Sequence, residues 1–130
     1  MKRVSGLYNK ILDKEYIKEI IVLASKGKTK RGAVRRVLEN IDHYTDVIYE
    51  MVKNSAYELK PTHNKTIVEN GKKRELTISP FFPNRVLDYL MVETLKPVIR
   101  KSMYYYCIGN VDKKGMMFGK DYIARNHKKY

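Results

Sequence analysis

The stretch that most constrains the fold of this chain is residues 70–91, which read NGKKRELTISPFFPNRVLDYLM. Its Asn-Gly opening at 70–71 is the strongest short-range signal for a two-residue β-turn, because both residues tolerate a positive φ. Residues that favour β-strands precede this turn at 66–68 and follow it at 74–78. The stretch therefore predicts an antiparallel hairpin that leads through a proline-containing connector into an amphipathic helix.

The expected register of the hairpin pairs Glu69 with Lys72 and Ile67 with Arg74. Side chains alternate between the two faces of a strand, so Lys73 points away from the face that Lys72 and Arg74 share. That shared face carries Lys72, Arg74, Leu76 and Ile78. The hairpin is expected to be apolar at its base and cationic at its tip, which suits an arm that closes over phosphates.

The chain before the hairpin is predicted to be mainly helical. Asp13 is a suitable N-cap for a helix whose apolar residues follow helical spacing and which Gly27 ends. A second, longer helix is expected over residues 32–53, where apolar positions again recur every three or four residues. Asn54 and Ser55 are expected to break it.

Fewer signals define the rest of the chain. Residues 57–59 read as a short strand, and Asn84 is expected to cap a third helix that Pro97 ends or kinks. Residues 102–107 suit a strand or an extended segment, and 121–127 suit the opening of a fourth helix. These assignments predict an α+β fold in a single domain spanning residues 1–130, with helices packed on a small antiparallel sheet.

The charge of the chain points to an anionic partner. The formal net charge is +13 and the isoelectric point is about 9.8. So large an excess in a small domain usually meets a polyanion, most often nucleic acid, although a role in solubility alone stays open. Residues 26–36 hold no acid and contain Lys26, Lys28, Lys30, Arg31, Arg35 and Arg36. Cations at a helix N-terminus oppose its dipole, so this run is either a phosphate site or a solvated loop.

Other classes of site have little support in the sequence. Cys107 is the one cysteine, so it cannot form an internal disulfide, and a reducing, cytoplasmic location is expected. No signal peptide and no membrane-spanning apolar run are expected. His43, His63 and His127 have no acid or second cysteine at ligand spacing. We therefore predict no metal site and no catalytic residue within this chain.

Three consecutive tyrosines, Tyr104, Tyr105 and Tyr106, admit two interpretations. Aromatic side chains near basic residues can stack on bases. If the segment is extended, at most two of the three rings share a surface. Packing in the core, with each hydroxyl at its rim, is the favoured interpretation.

The segment around the hairpin also resembles a known family. Three matching runs are Gly71-Lys72-Lys73-Arg74-Glu75-Leu76, Ser79-Pro80-Phe81 and Asn84-Arg85-Val86. They are similar to the start of bacterial reverse transcriptases, a family that includes group II intron, retron, diversity-generating retroelement and phage-defence enzymes. Further similarity lies at Lys2-Arg3 with Leu7-Tyr8, Asn54-Ser55-Ala56-Tyr57, Tyr106-Cys107-Ile108-Gly109, Lys114-Gly115 and Gly119. The resemblance implies the fingers portion of such a polymerase.

In that family, the residues that match Lys72 and Arg74 bind the triphosphate of the incoming dNTP. The resemblance implies this role here, with Lys73 at best on the template backbone. Arg85 matches an arginine that contacts either the template or the fold. The family more often has an acid where this chain has Asn84, which puts an acid–Arg85 pairing in doubt. The remaining residues predicted to bind nucleic acid are Lys28, Lys30, Arg31 and Arg35.

The catalytic carboxylates of the family are missing. Polymerases of this kind use them to hold two Mg²⁺ ions, and they lie in motifs like (K)xDxxxF(F/Y) and (Y/F)xDD. Neither motif occurs, and the chain is expected to stop just before the first of these aspartates. We therefore expect no polymerisation by this chain alone, and we expect Mg²⁺ only in the complete enzyme.

The implied partners are an RNA template with its primer or cDNA, the dNTP and the palm domain of the parent polymerase, with no membrane. Two rival interpretations stay open. The chain is alternatively a stand-alone RNA-binding module, such as a decayed remnant, or a structural and oligomerising fragment whose basic face is only solvated.

Overall fold

The computed structural model describes residues 4–109 and 111–127, so the family matches at Lys2 and Arg3 lie outside it. The α+β fold class is confirmed. The described residues form six α-helices and one two-stranded antiparallel sheet. The elements are α1 (Leu7–Ile11), α2 (Lys14–Ser25), α3 (Gly32–Glu39), α4 (Ile41–Lys53), β1 (His63–Glu69), β2 (Lys72–Ile78), α5 (Val86–Ser102) and α6 (Met116–Asn126). A π-type turn, Phe81–Arg85, precedes α5.

Contacts along the chain divide it into two compact units, with a boundary between Pro97 and Val98. We call residues 4–97 the N-terminal unit and the described part of 98–127 the C-terminal unit. Among the described residues, none of the helices is both long enough and apolar enough to cross a membrane.

The core of the N-terminal unit is helical. It is formed by α2, α3, α4 and the first turns of α5, through Ile17, Ile20, Ile21, Val37, Ile48, Val52, Val86, Leu87 and Leu90. The predicted first helix is confirmed as α2. Its N-cap is Asp13, whose Oδ1 accepts a hydrogen bond from the Glu15 amide at 3.0 Å, and Gly27 follows its end with a φ of 72°.

The prediction of one long helix over residues 32–53 is wrong. The chain breaks at Asn40, whose φ of −123° and ψ of 41° lie outside the helical region, so that α3 and α4 are separate. Asparagine has a modest helix propensity, and the break allows the two helices to pack differently. α3 packs against the turn at Phe81–Arg85, whereas α4 packs against α2.

The hairpin has the predicted turn and register. Glu69 pairs with Lys72 and Ile67 pairs with Arg74, and Asn70 and Gly71 both have positive φ, 52° and 75°. Its surface is more exposed than an apolar base implies. Among the residues of β1 and β2, Ile67 and Ile78 are half-buried and the rest are exposed, including Leu76 at 43%.

Two predictions around Asn84 are wrong. Residues 57–59 form no strand, and Asn84 makes no side-chain cap for α5. Its amide instead binds the backbone of Lys60, donating from Nδ2 to the Lys60 carbonyl at 2.8 Å and accepting at Oδ1 from the Lys60 N–H at 2.9 Å. Asn84 is 8% exposed, so these bonds satisfy a buried amide and fix the segment that leads into the hairpin.

We expect Asn84→Ala to lower the free energy of unfolding by about 1–2 kcal/mol, because both hydrogen bonds to Lys60 are lost. Asn84→Asp is expected to lose at least as much, because its buried carboxylate still accepts from the Lys60 N–H but repels the Lys60 carbonyl oxygen. Urea denaturation of the wild type, Asn84→Ala and Asn84→Asp compares their free energies of unfolding. Equal stability of the wild type and Asn84→Ala would contradict this role.

The last part of the described chain also departs from the expected pattern. Of the two outcomes expected for Pro97, ending the helix is wrong, because α5 continues past it to Ser102. Residues 102–107 do not form a strand, because the Cys107 amide donates to the Tyr104 carbonyl at 3.0 Å and closes a turn. α6 begins at Met116, before the predicted start at 121.

Candidate phosphate-binding surface

The start of α3 combines exposed cations with an uncapped helix end. Arg31 occupies the N-cap position without a side-chain hydrogen bond to the helix, and the first turn holds no acid. The first backbone N–H groups of a helix have no partner within it and carry partial positive charge. Lys30, Arg31 and Arg35 are all exposed beside them. Local charge here is therefore positive from both side chains and backbone.

Lys28 connects this loop to α5. Its Nζ donates to the Ala24 carbonyl at 3.2 Å and lies 5.4 Å from the centroid of the Tyr89 ring. Lys28 is half-buried, so it is held more firmly than its exposed neighbours. No local sequence signal marks Tyr89 for this contact, because its place under a cation depends on segments far apart in the chain.

Arg85 adds a cation from a second chain segment. It ends the π-type turn against which α3 packs, and it lies one helical turn before Tyr89. Its Nη1 is 3.7 Å from Asp88 Oδ2, so the pairing acid lies three residues later, in α5, and not at position 84. We call Lys28, Lys30, Arg31, Arg35 and Arg85 the α3 surface.

Most cations of the α3 surface have no acidic partner. Within residues 4–109 and 111–127, no ion pair or side-chain hydrogen bond engages Lys30, Arg31 or Arg35. The acids of α4 neutralise α2 instead. Lys14 and Lys18 donate to Asp46 at 2.7 Å and to Asp42 at 2.6 Å, and these hydrogen bonds raise the pKa of both lysines.

The tip of the hairpin forms a second group of cations. Lys72 and Arg74 share one face, as the register predicts, and Lys73 lies on the other. Arg74 Nη1 is 3.1 Å from Glu69 Oε2, and both side chains are more than half exposed. Such a surface pair contributes little to stability, so a phosphate can displace it. Among the described residues, no hydrogen bond or ion pair joins the hairpin tip to the α3 surface.

A cavity of about 550 Å³ beside α2 is a poorer candidate. Its charged lining residues balance, with Lys10, Lys18 and Lys26 against Glu15, Glu19 and Glu93. None of the residues predicted to bind dNTP or nucleic acid lines it. A balanced lining does not select a polyanion.

The described part of the chain brings no group of three or more His, Cys, Asp or Glu side chains together as a metal site. No protein-family model matches this chain, and a search of curated proteins finds no match either. The case for phosphate binding at the α3 surface therefore depends on the positions and charges of its residues.

Proposed function

We propose that this chain binds the phosphate backbone of a nucleic acid through the α3 surface, as the fingers portion of an RNA-directed DNA polymerase. The observation that carries the proposal is the convergence of cations from two chain segments, residues 28–35 and Arg85, around an uncapped helix start. Lys30, Arg31 and Arg35 lack acidic partners within the described residues. A basic surface with no internal neutralisation suits an external polyanion.

The chemistry of the α3 surface fits phosphate. A guanidinium donates two parallel hydrogen bonds to phosphate oxygens, while a lysine acts as a compact positive charge. The start of α3 lacks a side-chain cap, and backbone N–H groups at such a helix start, together with the helix dipole, favour an anion there. In the free protein the cations are repelled by the positive end of the α3 dipole. A bound phosphate removes this electrostatic repulsion.

The reverse-transcriptase part of the proposal rests on the resemblance together with the hairpin. Lys72 and Arg74 share one face of an exposed two-stranded arm, which is an arrangement able to hold a triphosphate. Phosphoryl transfer depends mainly on positioning and charge neutralisation, so such cations would affect its rate. The template RNA, its primer or cDNA, and Mg²⁺ would act with a palm domain, in the cytoplasm.

Binding of a fluorescent single-stranded RNA of 20 nucleotides to the chain tests the proposal. We expect the affinity to fall steeply as salt rises, because phosphate binding releases condensed counterions. An affinity that barely changes with salt, or no binding at low salt, would favour the structural fragment instead.

In the complete polymerase, we expect Arg74→Ala mainly to raise the apparent KM for dNTP. Glu69→Gln, which removes the competing acid, is expected to leave that KM unchanged or lower it. Steady-state kinetics with varied dNTP provide the measurement, and Lys30→Ala is the control for a cation outside the hairpin. If Lys72→Ala and Lys30→Ala weaken RNA binding equally and dNTP kinetics are untouched, the chain is a plain RNA-binding module.

A further inference from the structure

The C-terminal unit contains a cluster of aromatic rings whose outer members are exposed. Tyr106 stacks on Tyr122, with ring centroids 3.7 Å apart and an interplanar angle of 29°. Tyr104 and Tyr105 contact Tyr106 edge to face at 5.4 and 4.9 Å. They are 72% and 63% exposed, so the prediction that the tyrosines pack in a core is wrong for these two. The turn at Tyr104, in place of an extended segment, brings the three rings together.

The exposed rings of Tyr104 and Tyr105 differ in how much of their surface is in contact with other side chains. Lys114 Nζ lies 3.9 Å from the centroid of Tyr105 and also donates to the Tyr105 carbonyl. Phe118 also contacts Tyr105, with ring centroids 6.0 Å apart. Among the described residues, no cation lies over Tyr104. Tyr104 therefore offers the more open face for a further ring to stack on.

Basic side chains lie beside the exposed tyrosine rings. A cavity of about 380 Å³ is lined by Tyr104 and Tyr105 together with Arg100, Lys101 and Lys114. Its volume is within the range of small-molecule sites, roughly 300–1,000 Å³. Arg100 Nη2 is 2.5 Å from Asp112 Oδ2, whereas no ion pair engages Lys101 within the described residues. The cavity thus joins an open aromatic face to an excess of positive charge.

We infer that this cavity binds single-stranded nucleic acid, with an unpaired base stacked on Tyr104 and a flanking phosphate held by Lys101. Aromatic rings accept any base because each base has a π-face, and neighbouring cations follow the backbone. The inference goes beyond the proposed function, since it concerns bases and not backbone alone. It uses residues that are separate from the α3 surface.

The experiment compares two single-stranded oligonucleotides of 12 residues that carry the same phosphates, oligo(U) and a matched abasic strand. Fluorescence anisotropy measures the affinity of the full chain for each. We expect Tyr104→Ala to weaken oligo(U) binding by about 5- to 150-fold, the range that stacking of one base provides, and to leave abasic binding unchanged. Tyr104→Phe keeps the ring and is expected to retain the affinity.

Tyr57→Ala is the matched control, because Tyr57 is also exposed and lies in the N-terminal unit. Equal affinity of the wild type for both oligonucleotides would overturn the stacking inference alone, whereas failure to bind either would contradict the proposed function as well. Uridine 5′-monophosphate is the third probe. If this nucleotide displaces oligo(U) when the two are at equal concentration, the cavity is a free-nucleotide site, and the inference that it binds a strand is overturned.

Discussion

Leu90→Ala is expected to lower the free energy of unfolding by about 2–5 kcal/mol. Leu90 is fully buried, at 0% exposure, where α5 meets the core residues of α2 and α4. Truncation removes apolar surface from the core and leaves a cavity that the neighbouring helices cannot fill completely. Alanine is a good helix former, so the loss would come from packing and not from helix propensity.

Met91→Ala provides the matched control for this loss. Met91 follows Leu90 on the same helix but is 49% exposed. We expect this change to cost less than about 1 kcal/mol, as surface substitutions usually do. Urea denaturation followed by circular dichroism compares the two variants. A loss for Leu90→Ala no larger than that for Met91→Ala would contradict the assignment of the core.

The double variant Lys30→Ala/Arg35→Ala is expected to bind single-stranded RNA roughly 10- to 100-fold more weakly than the wild type at low salt. Each charge-assisted contact to a phosphate is worth up to about tenfold in affinity. Both side chains are exposed and unpaired among the described residues, so their removal leaves no buried charge behind. The variant should therefore fold like the wild type.

Lys14→Ala/Lys18→Ala removes the same net charge from a neighbouring surface. These two lysines are engaged by Asp46 and Asp42, so they are expected to contribute little to phosphate binding. Anisotropy titrations with the same RNA compare the two double variants. Similar losses of affinity in both would mean that net charge alone governs binding, and the α3 surface would have no special role.

Features set by neighbours in sequence could be predicted from the sequence. The hairpin register follows from Asn70 and Gly71, because a two-residue turn fixes which residues face each other. α2 follows from its cap at Asp13 and its apolar spacing. In both cases the signal and the structure lie within a few residues of each other.

Features that depend on distant contacts could not be predicted. The apolar spacing of residues 32–53 continues across Asn40, and the break reflects how α3 and α4 pack on different neighbours. Asn84 reads locally as a helix cap, but its buried amide finds the Lys60 backbone, 24 residues earlier. A polar side chain that competes for two local roles is assigned by the partner that tertiary structure brings to it.

The candidate site likewise has one part that could be predicted from the sequence and one part that could not. The basic run over residues 26–36 is visible in the sequence, and so is the expectation that it meets a polyanion. The approach of Arg85 and Tyr89 to that run arises only from the packing of α3 on the turn before α5. The exposure of Tyr104 likewise depends on the turn between Tyr104 and Cys107, which the residues around it do not predict.

The most direct test of phosphate binding by the α3 surface is the slope of log affinity against log salt concentration for single-stranded RNA. Each neutralised phosphate contributes about 0.7 to this slope. The wild type is expected to show a slope of about −3, and Lys30→Ala/Arg35→Ala a slope shallower by about 1.4. A wild-type slope near zero, or the same slope in both proteins, would contradict the account.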